Sequence, residues 1–163
     1  MPKEAQKKLS HFDSSGQARM VDVSGKSPTR RTATASAFVE LSASVLAALP
    51  SNPKGNPLEV ARLAGIQAAK RTSDLIPMCH PLPLSYIDVQ AEIAEGGVRI
   101  TASAATTGPT GVEMEALTAA SVAALTVYDM TKALDKAIVI RRVQLESKTG
   151  GKSGEFVRKQ SRA

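Results

Sequence analysis

The sequence predicts an α+β domain in which an antiparallel sheet is covered on one face by helices. Three observations lead to this fold class. Segments that alternate apolar and polar side chains stand before, between and after two segments with helical spacing. Two of the alternating segments are separated by Gly96-Gly97, as in an antiparallel hairpin. The strands are not regularly followed by single crossover helices, and the sequence contains no internal repeat.

The first third of the chain predicts two strands and a short helix. Residues 20–23 alternate apolar and polar side chains, and residues 30–41 (RRTATASAFVEL) do so over a longer, Thr-rich run. Residues 42–49 form a short helix that Pro50 stops, and residues 51–56 have the composition of a loop.

A second helix is predicted from Pro57 to about Lys70. Asn56 supplies a favourable N-cap, and proline is well placed at the first helical position. Gly65 lies inside this helix, where glycine lowers helix stability. We therefore expect Gly65 to be there because a neighbouring element packs closely against it.

The middle of the chain predicts an extended segment followed by a hairpin. Three prolines within residues 77–83 exclude a helix and fix an extended path. Residues 84–94 and 98–106 read as two strands that pair through the turn at Gly96-Gly97.

The longest helix is predicted from Val112 to about Asp135. Thr110 and Glu113 match a capping box at its start, and its many alanines allow a close approach of neighbours. Residues 137–146 form a last strand, and residues 147–154 (SKTGGKSG) form a Gly/Lys loop.

Length and composition indicate one folded domain in a reducing compartment. The 163 residues, 42 % of them hydrophobic, divide into a flexible lead-in (1–19), a single domain (20–154) and a basic tail (155–163). No apolar run approaches the roughly 20 residues that span a membrane, and the N-terminus is too polar for a secretory signal. With Cys79 as its single cysteine, we expect a cytoplasmic protein without membrane association.

The net charge of +6 raises the alternative of a basic RNA-binding or assembly module without catalysis. Four of these charges fall in residues 1–10 and 155–163, where basic residues commonly serve solubility. Aromatic residues are only 3 % of the chain, too few for the stacking platforms of a single-strand binder. We therefore expect no nucleic-acid partner, and deletion of the two tails would separate the two hypotheses.

The histidines and the cysteine argue against a metal site, but they are compatible with a site that binds an anion. His11, Cys79 and His80 are the complete His/Cys set and have no zinc-ligand spacing, so we expect no metal and no cofactor. Cys79 and His80 are adjacent in an extended segment and point opposite ways, which favours a buried, unreactive Cys79. His80, between two prolines, either caps a loop or presents a rigidly aimed imidazole to an anion.

The Gly/Lys loop and the charged residues of the long helix can each be interpreted in more than one way. Gly150-Gly151-Lys152-Ser153 is not a P-loop, because Glu146 stands where that motif requires glycine and no helix follows. Asp129 and Lys132 lie three residues apart on the long helix and form either a solvated ion pair or a general acid/base pair. Glu113 and Glu115 are favoured by the helix N-terminus or face a ligand.

Five blocks of the sequence resemble the cyclic pyranopterin monophosphate synthase family, accessory protein C of molybdenum-cofactor biosynthesis. Asn56 stands where that family has an acid, and Thr131 where it has cysteine. The matching blocks are MVDVSGK (20–26), KG (54–55), ARLAGIQAAKRTSDLIPMCHPLPLS (61–85), TGVEMEALTAASVAALTVYDMTKA (110–133) and KTGGKSG (148–154).

The resemblance implies that a cyclised dihydro-GTP is rearranged to cyclic pyranopterin monophosphate with release of pyrophosphate. These steps need proton transfers but no redox step. Asp129 is then the catalytic acid/base, with Lys132 and Lys54 as its catalytic partners. The residues that the resemblance assigns to substrate binding are Met78, Cys79, His80, Met114, Glu115, Glu113, Lys70 and Lys148.

The resemblance also implies a ferredoxin-like fold and a homohexamer, assembled as a trimer of dimers with sites at subunit interfaces. Lysines and His80 would meet the triphosphate, and Glu115 would accept hydrogen bonds from the guanine-derived ring. A catalytically inactive family member that only binds pterin precursors is a further alternative. The full set of Lys54, His80, Asp129 and Lys132 argues against it.

Overall fold

The computed structural model describes residues 11–159, which form a five-stranded antiparallel sheet with helices packed against it. The strand order is β2-β3-β1-β4-β5. This confirms the predicted α+β, ferredoxin-like class. The elements are β1 (Thr29–Glu40), α1 (Ala43–Ala48), a 3₁₀ turn (Leu49–Ser51), α2 (Pro57–Lys70), α3 (Thr72–Leu75), β2 (Leu84–Ala94), β3 (Gly97–Gly108), α4 (Glu113–Thr131), β4 (Val139–Thr149) and β5 (Phe156–Val157).

The core lies between the sheet and helix α4. Alternate residues of β1 are buried and small, and α4 turns a row of alanines towards them. Small side chains on both surfaces let the helix approach the sheet closely, which dense interiors require. The buried residues concerned are Ala33, Ala35, Ala37 and Val39 of β1, and Ala116, Ala119, Ala120, Ala123 and Ala124 of α4.

Helices α2 and α4 pack against each other in antiparallel orientation. Lys54, just before α2, reaches Asp129 near the end of α4, and Gly65 in the middle of α2 meets Ala119 in the middle of α4. A Cβ atom on Gly65 would stand 2.9 Å from the carbonyl oxygen of Ala119. The expected close packing at Gly65 is confirmed.

Most of the predicted elements are confirmed. β1, α1 and the hairpin of β2 and β3 lie within about two residues of their expected bounds, an ordinary boundary error. Asn56 caps α2 as predicted, since its Oδ1 accepts hydrogen bonds from the backbone N–H groups of Leu58 and Glu59. The hairpin turn contains Gly96 at φ +75°, a conformation that suits glycine.

The strand predicted at residues 20–23 is wrong, because that segment is irregular and is followed by a turn. The side chain of Asp22 accepts hydrogen bonds from the backbone N–H and the hydroxyl of Ser24. Such local side-chain bonds compete with strand pairing.

The predicted capping box at the start of the long helix is also wrong, and so is the predicted end of that helix. α4 begins after Val112, which cannot cap, while the Thr110 hydroxyl donates to the carbonyl of Gly111 and Glu113 pairs with Lys148. The helix ends at Thr131 rather than near residue 135.

The chain ends of the domain hold more structure than expected. β4 continues to Thr149, into the predicted Gly/Lys loop, and β5 pairs with it from within the predicted basic tail. In the predicted lead-in, Phe12 and Ala18 form a β-bridge. The remaining predictions for residues 1–10 and 160–163 lie outside the described residues. Within residues 11–159, no helix has the length and apolarity needed to cross a membrane.

Candidate active site

The predicted site residues fall into two groups at opposite ends of the α2/α4 pair. Asp129 lies about 21 Å from Glu115 along the axis of α4, at the usual rise per residue. One chain therefore does not bring all of the predicted residues to a single point. We call Lys54, Asp129 and Lys132 the acid–lysine group, and Met78, Cys79, His80, Glu113, Met114 and Glu115 the cavity group.

The acid–lysine group is an open cluster held by two contacts. The Nζ of Lys132 lies 2.5 Å from Oδ1 of Asp129, and the Nζ of Lys54 donates to the backbone carbonyl of Asp129 at 3.4 Å. The Asp129 and Lys132 side chains remain 59 % and 49 % exposed. Exposure of this degree fits a solvated ion pair and equally leaves both groups accessible to a substrate.

Electrostatics keep both members of the pair charged. The hydrogen bond from Lys132 lowers the pKa of Asp129, and the positive charges of Lys132 and Lys54 lower it further. The same hydrogen bond and the charge of Asp129 raise the pKa of Lys132. At neutral pH the carboxylate can accept a proton and the ammonium group can donate one.

The cavity group surrounds a cavity of about 270 Å³ at the N-terminal end of α4. The segment after Pro77, a turn at Met78 followed by extended chain, and the first turn of α4 both contribute side chains to its wall. The structure thus brings together both segments that the resemblance assigned to substrate binding. The lining residues are His11, Val21, Val23, Lys26, Met78, Cys79, His80, Leu82, Thr110, Gly111, Glu113, Met114 and Glu115.

Glu115 is the most deeply buried acid of the cavity, with 4 % of its surface exposed. Burial raises the pKa of its carboxyl group, and the negative charge of Glu113 raises it further. Burial and the charge of Glu115 also raise the pKa of the half-buried Cys79 thiol. A raised thiol pKa opposes a nucleophilic role for Cys79, since the thiolate is the nucleophile.

The two predicted lysines of this end differ in their contacts. The Nζ of Lys148 lies 3.4 Å from Oε1 of Glu113, and it also hydrogen-bonds the hydroxyl of Ser153. Lys70 is exposed at the end of α2 and does not line the cavity. Lys148 is therefore fixed beside the cavity, whereas Lys70 stands outside it.

Sequence reasoning missed two cationic or potentially cationic side chains in the cavity wall. His11 lines it, and the Nδ1 of this residue is buried without a hydrogen-bond partner among the described residues. Lys26 lines it as well. The block MVDVSGK signalled Lys26, but His11 lay in a segment predicted as a flexible lead-in. Within residues 11–159, no three His, Cys, Asp or Glu side chains are grouped so as to hold a metal ion.

Comparisons with known proteins agree on one family. The chain is 55 % identical over 157 residues to a Streptomyces coelicolor protein named cyclic pyranopterin monophosphate synthase, covering 95 % of this chain and 92 % of the relative. Relatives of the same name from Deinococcus radiodurans and Corynebacterium glutamicum are each 57 % identical, cover 91 % of this chain, and are themselves covered to 89 % and 97 %. Residues 20–151 match the model of the MoaC family. The chain belongs to the MoaC family.

Proposed function

We propose that this chain is a phosphorus–oxygen lyase of molybdenum cofactor biosynthesis. It converts cyclised dihydro-GTP (3',8-cyclo-7,8-dihydroguanosine triphosphate) to cyclic pyranopterin monophosphate and releases pyrophosphate. The relatives named as synthases cover nearly the whole chain and support this activity over the RNA-binding alternative. The observation that carries the chemistry is the acid–lysine group, in which a carboxylate and two ammonium groups converge.

In this proposal Asp129 is the catalytic acid/base, and Lys132 and Lys54 are its partners. The rearrangement opens and closes rings, so protons have to leave some atoms and reach others. An ionised carboxylate accepts such a proton, and an adjacent ammonium group returns one. The lowered pKa of Asp129 and the raised pKa of Lys132 keep both groups charged before the substrate binds. The same shifts weaken the carboxylate as a base and the ammonium group as an acid, so proton transfer requires the substrate to disturb the Asp129–Lys132 ion pair.

The cavity group and its neighbouring lysines bind the substrate in this proposal. Glu113 and Glu115 accept hydrogen bonds from amino and ring N–H groups of the guanine-derived base, with Met78, Cys79 and Met114 around it. His80 and Lys148 meet the phosphates, for which cationic donors are the fitting partners. Lys70 stands outside the cavity of its own chain and joins them in this proposal as a further cation. No cofactor and no metal takes part.

The proposed assembly is a hexamer, built as a trimer of dimers, of a cytoplasmic enzyme with one catalytic domain (20–154). The two groups of site residues lie about 21 Å apart along α4, too far to act on one atom within one chain. A second copy that places its acid–lysine group at the cavity of the first would complete the site.

The function is tested by supplying the cyclised dihydro-GTP and measuring pyrophosphate and the pterin product. We expect Asp129→Asn and Lys132→Ala to lower kcat by about 10²-fold or more, the usual scale for loss of an acid/base group. Glu59→Gln is the matched control, because Glu59 and Arg62 form an exposed ion pair of the same spacing on α2. Parental turnover in both site variants would contradict the assignment, and a parent that releases no pyrophosphate would contradict the function.

A further inference from the structure

The loop between the 3₁₀ turn and α2 is tied to the C-terminal end of α4 through Asn52. The Nδ2 of Asn52 donates to the carbonyl oxygen of Met130 at 2.8 Å. The Oδ1 of the same side chain accepts from the backbone N–H of Lys54 at 2.9 Å. One amide group therefore links the backbone of Lys54 to the helix that carries Asp129.

These contacts belong to a helix cap that also fixes a lysine. The last carbonyl groups of an α-helix have no partner within the helix and need donors from elsewhere. Here the carbonyl oxygen of Met130 accepts a hydrogen bond from the side-chain amide of Asn52, and the carbonyl oxygen of Asp129 accepts one from the ammonium group of Lys54. A positive charge is favourable at this end of a helix. The cap therefore places the Lys54 ammonium group within the acid–lysine group.

The loop needs such a tie, because little else fixes Lys54. The residue is exposed, and the following Gly55 adopts φ +97°, where glycine leaves the chain many alternatives. The remaining backbone bonds of this segment, from Asn52 to Leu49 and from Gly55 to Asn52, stay inside the loop and do not reach α4.

We propose that Asn52 is a positioning residue that holds the Lys54 ammonium group beside Asp129. It does not touch the substrate, and it acts through Lys54. The inference rests on the proposed function, in which Lys54 is a partner of the catalytic Asp129.

Asn56 offers a matched control four residues away. It is also an asparagine of this loop, and its Oδ1 accepts from two backbone N–H groups, where that of Asn52 accepts from one. Those groups belong to the start of α2, however, and the hydrogen bonds of Asn56 among the described residues all stay within α2. Asn56→Ala therefore lowers the free energy of unfolding, as loss of an N-cap does, without releasing Lys54.

The kinetic test compares Asn52→Ala, Asn56→Ala, Lys54→Ala and the double variant Asn52→Ala/Lys54→Ala in steady-state assays. We expect Asn52→Ala to lower kcat by about 10-fold or more while KM changes by less than about 3-fold, as for an interaction made in the transition state. Asn56→Ala keeps kcat within about 2-fold of the parent. In the Lys54→Ala background, Asn52→Ala causes no further loss, since groups that act as a unit are non-additive.

A second variant separates the two bonds of Asn52. Asn52→Asp keeps an acceptor for the N–H of Lys54 but cannot donate to the carbonyl of Met130. We expect Asn52→Asp to lower kcat about as much as Asn52→Ala does, because both variants lose the link to α4. If Asn52→Ala does not fold, Asn52→Asp takes its place in the comparison with Asn56→Ala.

An NMR titration of the Asp129 carboxyl tests the inference without any turnover. The groups that face Asp129 are Lys132 on α4 and Lys54 on the loop, with Tyr128 beside Lys132. Since the charge of Lys54 lowers the pKa of Asp129, Asn52→Ala should raise this pKa in the same direction as Lys54→Ala does. Asn56→Ala should leave it unchanged.

Three outcomes would overturn the inference: equal kcat losses in Asn52→Ala and Asn56→Ala, additive losses in the double variant, or an unchanged pKa of Asp129 in Asn52→Ala. Absence of turnover in the parent would overturn the proposed function instead. In that case the titration alone decides whether Asn52 positions Lys54.

Discussion

The carboxyl group of Glu115 is buried in the folded state, and its surroundings there disfavour the ionised form. Its pKa is raised above the ordinary value of 4.5 by burial and by the charge of Glu113. The folded state therefore binds this proton more tightly than the unfolded chain does. Its contribution to the free energy of unfolding is present below the unfolded pKa and is lost as the pH rises through the folded pKa.

The free energy of unfolding of the parent should therefore fall as the pH rises, and we expect Glu115→Gln to abolish this fall. In urea unfolding between about pH 4 and pH 8, the parent should lose stability relative to Glu115→Gln as the carboxyl ionises. Glu92→Gln, which replaces an exposed carboxyl on β2, should keep the pH slope of the parent. The prediction is wrong if the two glutamine variants show the same slope.

Single residues differ in how far the sequence determines their role. The contact of Asp129 with Lys132 follows from helical spacing alone, and the structure shows it at 2.5 Å. The burial of Glu115 could not be foreseen, because two acids in the first turn of α4 look alike until the tertiary fold buries one of them beside the cavity that Cys79 and His80 also line. The same holds for His11, whose place in the cavity wall depends on the path of residues 11–28, ahead of β1.

At the scale of elements, Gly65 sets the distance between α2 and α4. Its missing Cβ would meet the Ala119 carbonyl at 2.9 Å and both methyl groups of Val89 at 3.1 Å. Alanine raises helix propensity by up to about 1 kcal/mol over glycine, but overpacking commonly costs about 1–3 kcal/mol. The backbone carbonyl cannot swing aside as a side-chain end can, so the steric cost should be the larger.

We expect Gly65→Ala to lower the free energy of unfolding by about 1–2 kcal/mol in urea titration. Gly25→Ala is the control, because a Cβ at Gly25 meets nothing within 4 Å and its backbone is not left-handed. An unchanged or higher stability of Gly65→Ala would show that the helices separate without cost.

Elements were predictable where local chemistry decides them. The hairpin and the N-cap of α2 depend on a glycine turn and on Asn56, and both elements are confirmed. The turn itself is Glu95-Gly96, one residue before the predicted Gly96-Gly97, because Gly97 already pairs with Ala94 in the hairpin. The start of α4 did not follow its capping box, because Lys148 from a distant strand pairs with Glu113 instead. In the last turn of α4, the carbonyl of Met130 accepts from Asn52 of a distant loop, a partner that no pattern within the helix reveals.

At the scale of the whole molecule, the acid–lysine group and the cavity group lie at opposite ends of α4. Two copies that pair around a two-fold axis would present the acid–lysine group of one to the cavity group of the other, and each pair would hold two such sites. A chain with a defect in one group could then be complemented by a chain with a defect in the other.

We expect co-expressed Asp129→Asn and Glu115→Gln chains to regain activity that neither variant shows alone. In a mixed pair one site receives both substitutions and the other receives none, so random pairing should restore about a quarter of the parental kcat. Two Asp129 variants, Asp129→Asn and Asp129→Ala, form the control mixture and should stay inactive. Without recovery in the first mixture, while light scattering shows that the chains do associate, each site would lie within one chain. The substrate would then have to reach along α4 to contact both groups.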